Sequence, residues 1–255
     1  MTQTHRLLSV AIFLLIIGAC ILLLFFSAYL IPIAVAFIGL LIILLVRFFY
    51  QAKVSLYERM LFVLGVALFN IAGFSFFIFL EHPFFQYATA LGIAFISLIY
   101  IENAYKYLWN IPDYHISALS NVSSYMHLLS IFFATVSLFN LRFFFGVSSI
   151  VTLSIAAVFG LLLFYAYLWS QKVLLTSLRW YSALFALVFV EFVYVLNIWP
   201  HLPLVKGVVT LAFVYGMMQI LLASLHDSLN PKKVARTLGI VGFVLLIVLV
   251  TAQWR

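Results

Sequence analysis

Charge is what this sequence has least of. Only 7% of its 255 residues are Asp, Glu, Lys or Arg, and Asp plus Glu together number six. A soluble globular domain is about a quarter charged. No polar stretch here is long enough to fold as a soluble domain of its own. Nucleic acid as a partner is excluded on similar grounds. The net charge of +7 comes from basic residues set singly or in small groups at the ends of apolar runs. That is the placement of membrane topology signals and of contacts to anionic lipid. Cysteine is also nearly missing. Cys20 stands alone, so no internal disulfide can form.

Motifs of soluble chemistry are absent. There is no Gly-x-x-x-x-Gly-Lys-Ser/Thr, no Gly-x-Gly-x-x-Gly and no Gly-x-Ser-x-Gly. The six histidines include no His-Glu-x-x-His. Asp113 with His115, and His226 with Asp227, offer two ligands each where zinc takes three or four. Neither a metal nor a cofactor is expected.

What is present is apolar surface. Hydrophobic residues make up 67% of the chain, and mean hydropathy is +1.27. The runs are long enough to cross a bilayer, which takes about 20 residues. The reading is an all-α, polytopic membrane bundle of nine spans in a single transmembrane domain. Their expected ranges are 7–26, 32–49, 60–80, 84–104, 122–141, 147–169, 178–199, 204–225 and 238–254. Pro32, Pro83 and the 199–203 corner supply breaks, since proline lacks a backbone donor and disfavours helix just before it. Residues 17–20 have a faint lipoprotein-box likeness, but the apolar continuation after Cys20 favours a retained helix.

The basic residues orient this arrangement. With the N-terminus inside, Arg6, Arg47, Lys53, Arg59, Lys106, Lys172, Arg179, Lys232, Lys233 and Arg236 lie on the inner side. Arg142, Lys206 and Arg255 lie outside. Ten against three is the bias the positive-inside rule demands. Gln51 and Gln171, Arg59 and Arg179, and Pro83 and Pro203 share an offset of 120. That offset would make 30–141 and 147–254 parallel repeats after an extra first helix. Chance matching in an apolar alphabet is the alternative.

Few residues could carry chemistry. Glu191 lies eight residues before Trp199, ~12 Å into its helix. An intramembrane carboxylate is a functional candidate by default. It could bind substrate or protons with Lys206, Asn70, His127, Asn140 and Gln219 in a polar cavity, or bond one helix to another. Glu102 and Lys106 are spaced as a helical ion pair among Tyr100, Tyr105, Tyr107 and Trp109. They read as an aromatic belt at the inner face or as a lipid-headgroup site. Ala88/Gly92 and Ala156/Gly160 are small residues four apart, suited to close helix contacts.

The C-terminal quarter combines Glu191, Trp199-Pro200, Tyr215-Gly216, a basic loop and an apolar end at 251–255. In this it resembles bacterial polytopic membrane proteins of unknown function. The resemblance implies a bacterial cytoplasmic membrane and brings no activity with it. The first functional reading is therefore a membrane scaffold or partner subunit, working in the lipid bilayer with other membrane subunits or copies of itself. The alternative is a small transporter or permease-like binder built on Glu191. A third is a membrane enzyme acting on a lipid-linked substrate.

Overall fold

The computed structural model describes residues 3–25, 30–50, 55–109, 116–171, 175–225 and 230–251. Among them the chain is helical, in nine segments: α1 (Gln3–Phe25), α2 (Leu30–Phe49), α3 (Leu56–Ile78), α4 (Pro83–Leu108), α5 (Ile116–Phe145), α6 (Ser149–Ser170), α7 (Leu175–Ile198), α8 (Pro203–Leu225) and α9 (Pro231–Thr251). Among the described residues α2 to α8 are each long and apolar enough to cross a membrane, and α1 adds the apolar stretch Ser9–Leu23. The protein is an all-α integral membrane protein.

Several helices extend past the apolar runs that announce them. Hydropathy marks the stretch in lipid, whereas helix ends are set by caps in the interface. Ser55 accepts from the backbone N–H of Glu58, and Glu58 returns the bond to the Ser55 backbone. This reciprocal capping starts α3 four residues before its expected onset at Met60. Asn230 Oδ1 accepts from the Lys232 backbone, and Pro231 occupies the first turn. The ninth helix thus begins at Pro231 instead of Leu238. Lys232, Lys233 and Arg236, expected in a loop, are helical. Gly146, with φ +63°, ends α5 in the left-handed conformation that glycine adopts freely.

The chain divides into two compact units, Met1–Ser130 and Ile131–Arg255. In the first, α1 packs on α2 and α4, and α3 packs between α2 and α4. α3 is apolar on all sides, as a helix enclosed by neighbours must be, and most of its side chains are buried. Phe37 meets Phe74 edge-on at 4.8 Å and Phe49 stacks on Phe62 at 5.9 Å, which sets α2 antiparallel to α3. Gly73 receives Ile93 of α4 so closely that an added Cβ would lie 2.6 Å from Ile93 Cδ1. The lone Cys20 is buried within α1.

In the second unit α6 packs on α7, α7 on α8 and α8 on α9. Phe164 lies 4.7 Å from Phe185 and 5.9 Å from Phe189. Gly160 sits under Phe189, where a Cβ would approach Cδ1 to 2.8 Å. Lipid offers helices no hydrophobic drive to associate, so small residues that admit a bulky neighbour take that role. The Ala156/Gly160 expectation fits this contact, since both residues are buried. The Ala88/Gly92 pair departs from it. Ala88 is exposed, and nothing lies within 4 Å of a Cβ built on Gly92.

Candidate functional site

The polar side chains that the sequence singles out are distributed over both units. Asn70 is fully buried in α3. Its amide Nδ2 donates to the Val66 carbonyl at 2.9 Å and to Ser97 Oγ of α4 at 3.1 Å. Its Oδ1 is buried and accepts no hydrogen bond among the described residues. One turn along α4 from Ser97, Tyr100 is also buried. Its hydroxyl would lie 3.2 Å from a Cβ placed on Gly65, and His127 Nε2 of α5 would lie 3.7 Å from the same point. Gly65 is thus the gap that lets α4 and α5 bring a phenol and an imidazole against α3. His127 is anchored through Nδ1, 2.6 Å from the Ser123 carbonyl and 3.1 Å from Ser123 Oγ.

Asn70 and His127 are both buried in the first unit, Asn70 bonded to Ser97 and His127 set with Tyr100 against Gly65. Ser97 and Gly65 were missed by sequence reading, and Tyr100 was read only as part of an aromatic belt. Gly65 gave the one usable signal, a glycine inside an apolar helix. The bond that joins helices here is the one from Asn70 to Ser97.

The hydroxyls of α5 are turned inward on their own helix. Ser130, Thr135 and Ser137 donate to the carbonyls four residues back, at 2.8, 2.7 and 2.7 Å. Such back-bonding satisfies a hydroxyl without any partner helix. The most polar span thus presents fewer free groups than its composition suggests.

Glu102 and Lys106 are partly buried on α4, and no ion pair joins them among the described residues. The tyrosines around them only partly form a belt. Tyr100 and Tyr105 are buried, and Tyr105 lies 4.5 Å from Trp109 and 5.8 Å from Phe48. They are packing residues of the first unit.

The second unit holds the other four candidates, at three separate levels. Lys206, near the start of α8, is partly buried with Nζ 5.1 Å from the Phe139 ring centroid. Asn140 is next to Phe139 and partly buried. Arg142, one turn on, donates to Ser149 Oγ. Gln219 lies thirteen residues beyond Lys206, ~20 Å along α8 by the helix rise. It lines a cleft of about 410 Å³ with Tyr215, Lys233, Arg236 and Thr237. Placing these three α9 residues in a loop concealed them, although the Asn230-Pro231 pair was a legible helix start.

Glu191 is on the outer face of α7. The expectation was an inward-pointing carboxyl with a bonding partner, near Lys206. The structure corrects both points. Glu191 is exposed, and no hydrogen bond or ion pair reaches it among the described residues. The inner face of α7 is occupied by Ser182, Phe185, Phe189, Val193 and Leu196, all buried. Glu191, nine residues after Ser182, falls on the opposite side by the 100° step of the helix. Its neighbours on that side are Trp180, Leu184, Leu187, Tyr194 and Ile198, all exposed. Among the described residues, no three His, Cys, Asp or Glu side chains gather to hold a metal ion.

A family model described as "Protein of unknown function (DUF5656)" matches residues 119–252, slightly more than half of the chain. The match takes in the C-terminal residues on which the sequence resemblance rested as far as 252. No curated protein matches the chain, and no solved structure does.

Proposed function

We propose that this chain, which belongs to the protein family of unknown function DUF5656, is a membrane scaffold that pairs with a second copy of itself through the outer face of α7. The observation that carries this reading is the exposed Glu191 within an apolar span. Left against lipid, a carboxyl at this depth costs a few kcal/mol even on insertion scales, about 3 for an acidic residue at a helix centre. A contact that supplies its hydrogen bonds removes that cost.

The surrounding pattern suits a helix partner. Trp180, Leu184, Leu187, Glu191, Tyr194 and Ile198 alternate in steps of four and three, the spacing of a coiled-coil seam. One polar residue in such a seam fixes register and partner number. A second copy is the simplest partner. A protonated carboxyl has both a donor and an acceptor, so two related by a two-fold axis satisfy each other. Such an interface is self-complementary. We place the protein in the bacterial cytoplasmic membrane with its N-terminus inside, on the charge bias and the C-terminal resemblance.

Cysteine cross-linking in membranes tests the pairing. In a Cys20→Ser background, Leu187→Cys should form disulfide-linked dimers, whereas Val158→Cys on exposed α6 surface should not. Absence of the Leu187 cross-link, together with one copy per particle in single-molecule photobleaching, would sink the reading.

A further inference from the structure

We infer that the cleft between the C-terminal part of α8 and the first turns of α9 binds the phosphate of an anionic glycerophospholipid headgroup. The cleft encloses about 410 Å³. One wall is α9, where Lys233 and Arg236 are three residues apart and so share a face. The other is α8, where Tyr215 and Gln219 are four apart and share a face for the same reason. Thr237 adds a hydroxyl beside Arg236. No acidic side chain among the described residues lines the space. Among the described residues, Lys233 and Arg236 therefore line the cleft with no carboxylate in its lining, and an amide and two hydroxyls stand beside them.

That set matches a phosphate. Arginine presents a planar fork of donors to paired oxygens, and lysine supplies a compact charge. A phosphodiester and a free phosphate share this chemistry, and two features favour the lipid. The cleft also has apolar lining from Ile220, Leu222 and Ile240, which a free anion would not use. Its place is the end of the α8 span, where headgroups meet a membrane helix. Just beyond, Phe243, Leu246 and Val250 of α9 are exposed, giving acyl chains a surface to follow. Basic pockets between membrane helices are a recurrent way to hold such headgroups. The inference is independent of pairing through α7.

Native mass spectrometry of the full chain in detergent tests it, with phosphatidylglycerol and phosphatidylcholine as probes. Phosphatidylglycerol should bind in preference. Lys233→Ala and Arg236→Ala should each weaken it about fivefold, the effect of one cation near an anionic surface. Arg179→Ala, which removes an exposed charge from α7, should leave binding unchanged. Millimolar inorganic phosphate should fail to displace the lipid. Should the alanine variants not fold, Arg236→Lys and Gln219→Leu keep the charge and should still lose preference severalfold. Equal binding of the two lipids, or an equal effect of Arg179→Ala, overturns the site. Displacement by inorganic phosphate overturns the lipid assignment.

Discussion

Phe192 of α7 lies flat against Phe213 of α8, with ring centroids 4.0 Å apart and planes 6° from parallel. This contact fixes the register of the two antiparallel helices. With Phe192 and Phe213 level, Lys206 lies level with Trp199, eight residues and ~12 Å from Glu191 along the axis. No lysine reaches that far down a neighbouring helix, so Lys206 cannot neutralise Glu191. A partner for the carboxyl must come from elsewhere.

The pairing reading makes Glu191 variants distinguishable. Glu191→Gln should preserve dimers, because an amide also donates and accepts. Glu191→Leu should weaken association about 5- to 30-fold, the worth of an interhelical hydrogen bond of about 1–2 kcal/mol in membranes. Glu191→Lys should abolish self-association yet pair with wild-type chains when co-reconstituted. Energy transfer between labelled copies in vesicles reads all three. Unchanged association of Glu191→Leu would exclude this residue from any interface.

The Asn70–Ser97 bond should act as a measurable staple between α3 and α4. Asn70→Ala is expected to lower unfolding free energy by about 1–3 kcal/mol, from the lost bond and the space left behind. A double-mutant cycle with Ser97→Ala should give a coupling of about 1 kcal/mol. Reversible unfolding in mixed micelles measures it. A coupling near zero would show that the bond contributes nothing.

Glycines of similar sequence setting should respond differently. Gly160→Ala pushes a methyl against Phe189, and Gly207→Ala drives one into Val136 of α5. Each should destabilise by about 1–3 kcal/mol, as overpacking does. Gly92→Ala meets open space and should be neutral or stabilising by up to ~1 kcal/mol through helix propensity. Thermal melts of the three variants in one detergent would separate these outcomes. A Gly160→Ala protein as stable as wild type would contradict the close α6–α7 contact.

Orientation is open to reporter fusions. Fusions at Lys53, Lys106, Lys172 and Lys232 should report the cytoplasm, and fusions at His82 and His201 the outside. The opposite result at alternate sites would reject the nine-span, N-inside reading of the charge bias.

The sequence by itself determined that this is a multi-span membrane protein, roughly where each helix lies, and that Glu191 is its most anomalous residue. It could do so because burying backbone in lipid demands helices, and because long uncharged runs and flanking cations are one-dimensional signals. The family match over residues 119–252 agrees with what the C-terminal residues alone suggested. Only tertiary structure decided which way a side chain points and what meets it. In a helix whose every face is apolar, hydropathy has no periodicity, so nothing distinguishes the side facing Phe164 from the side facing away. Glu191 was therefore expected inside and lies outside. Asn70 found Ser97, and Gly65 made room for Tyr100 and His127, through contacts between residues 27 to 62 positions apart. Likewise, the Lys233–Arg236 cleft exists only because α9 starts early and folds back on α8. That is a matter of helix capping and packing, to which a hydropathy pattern is blind.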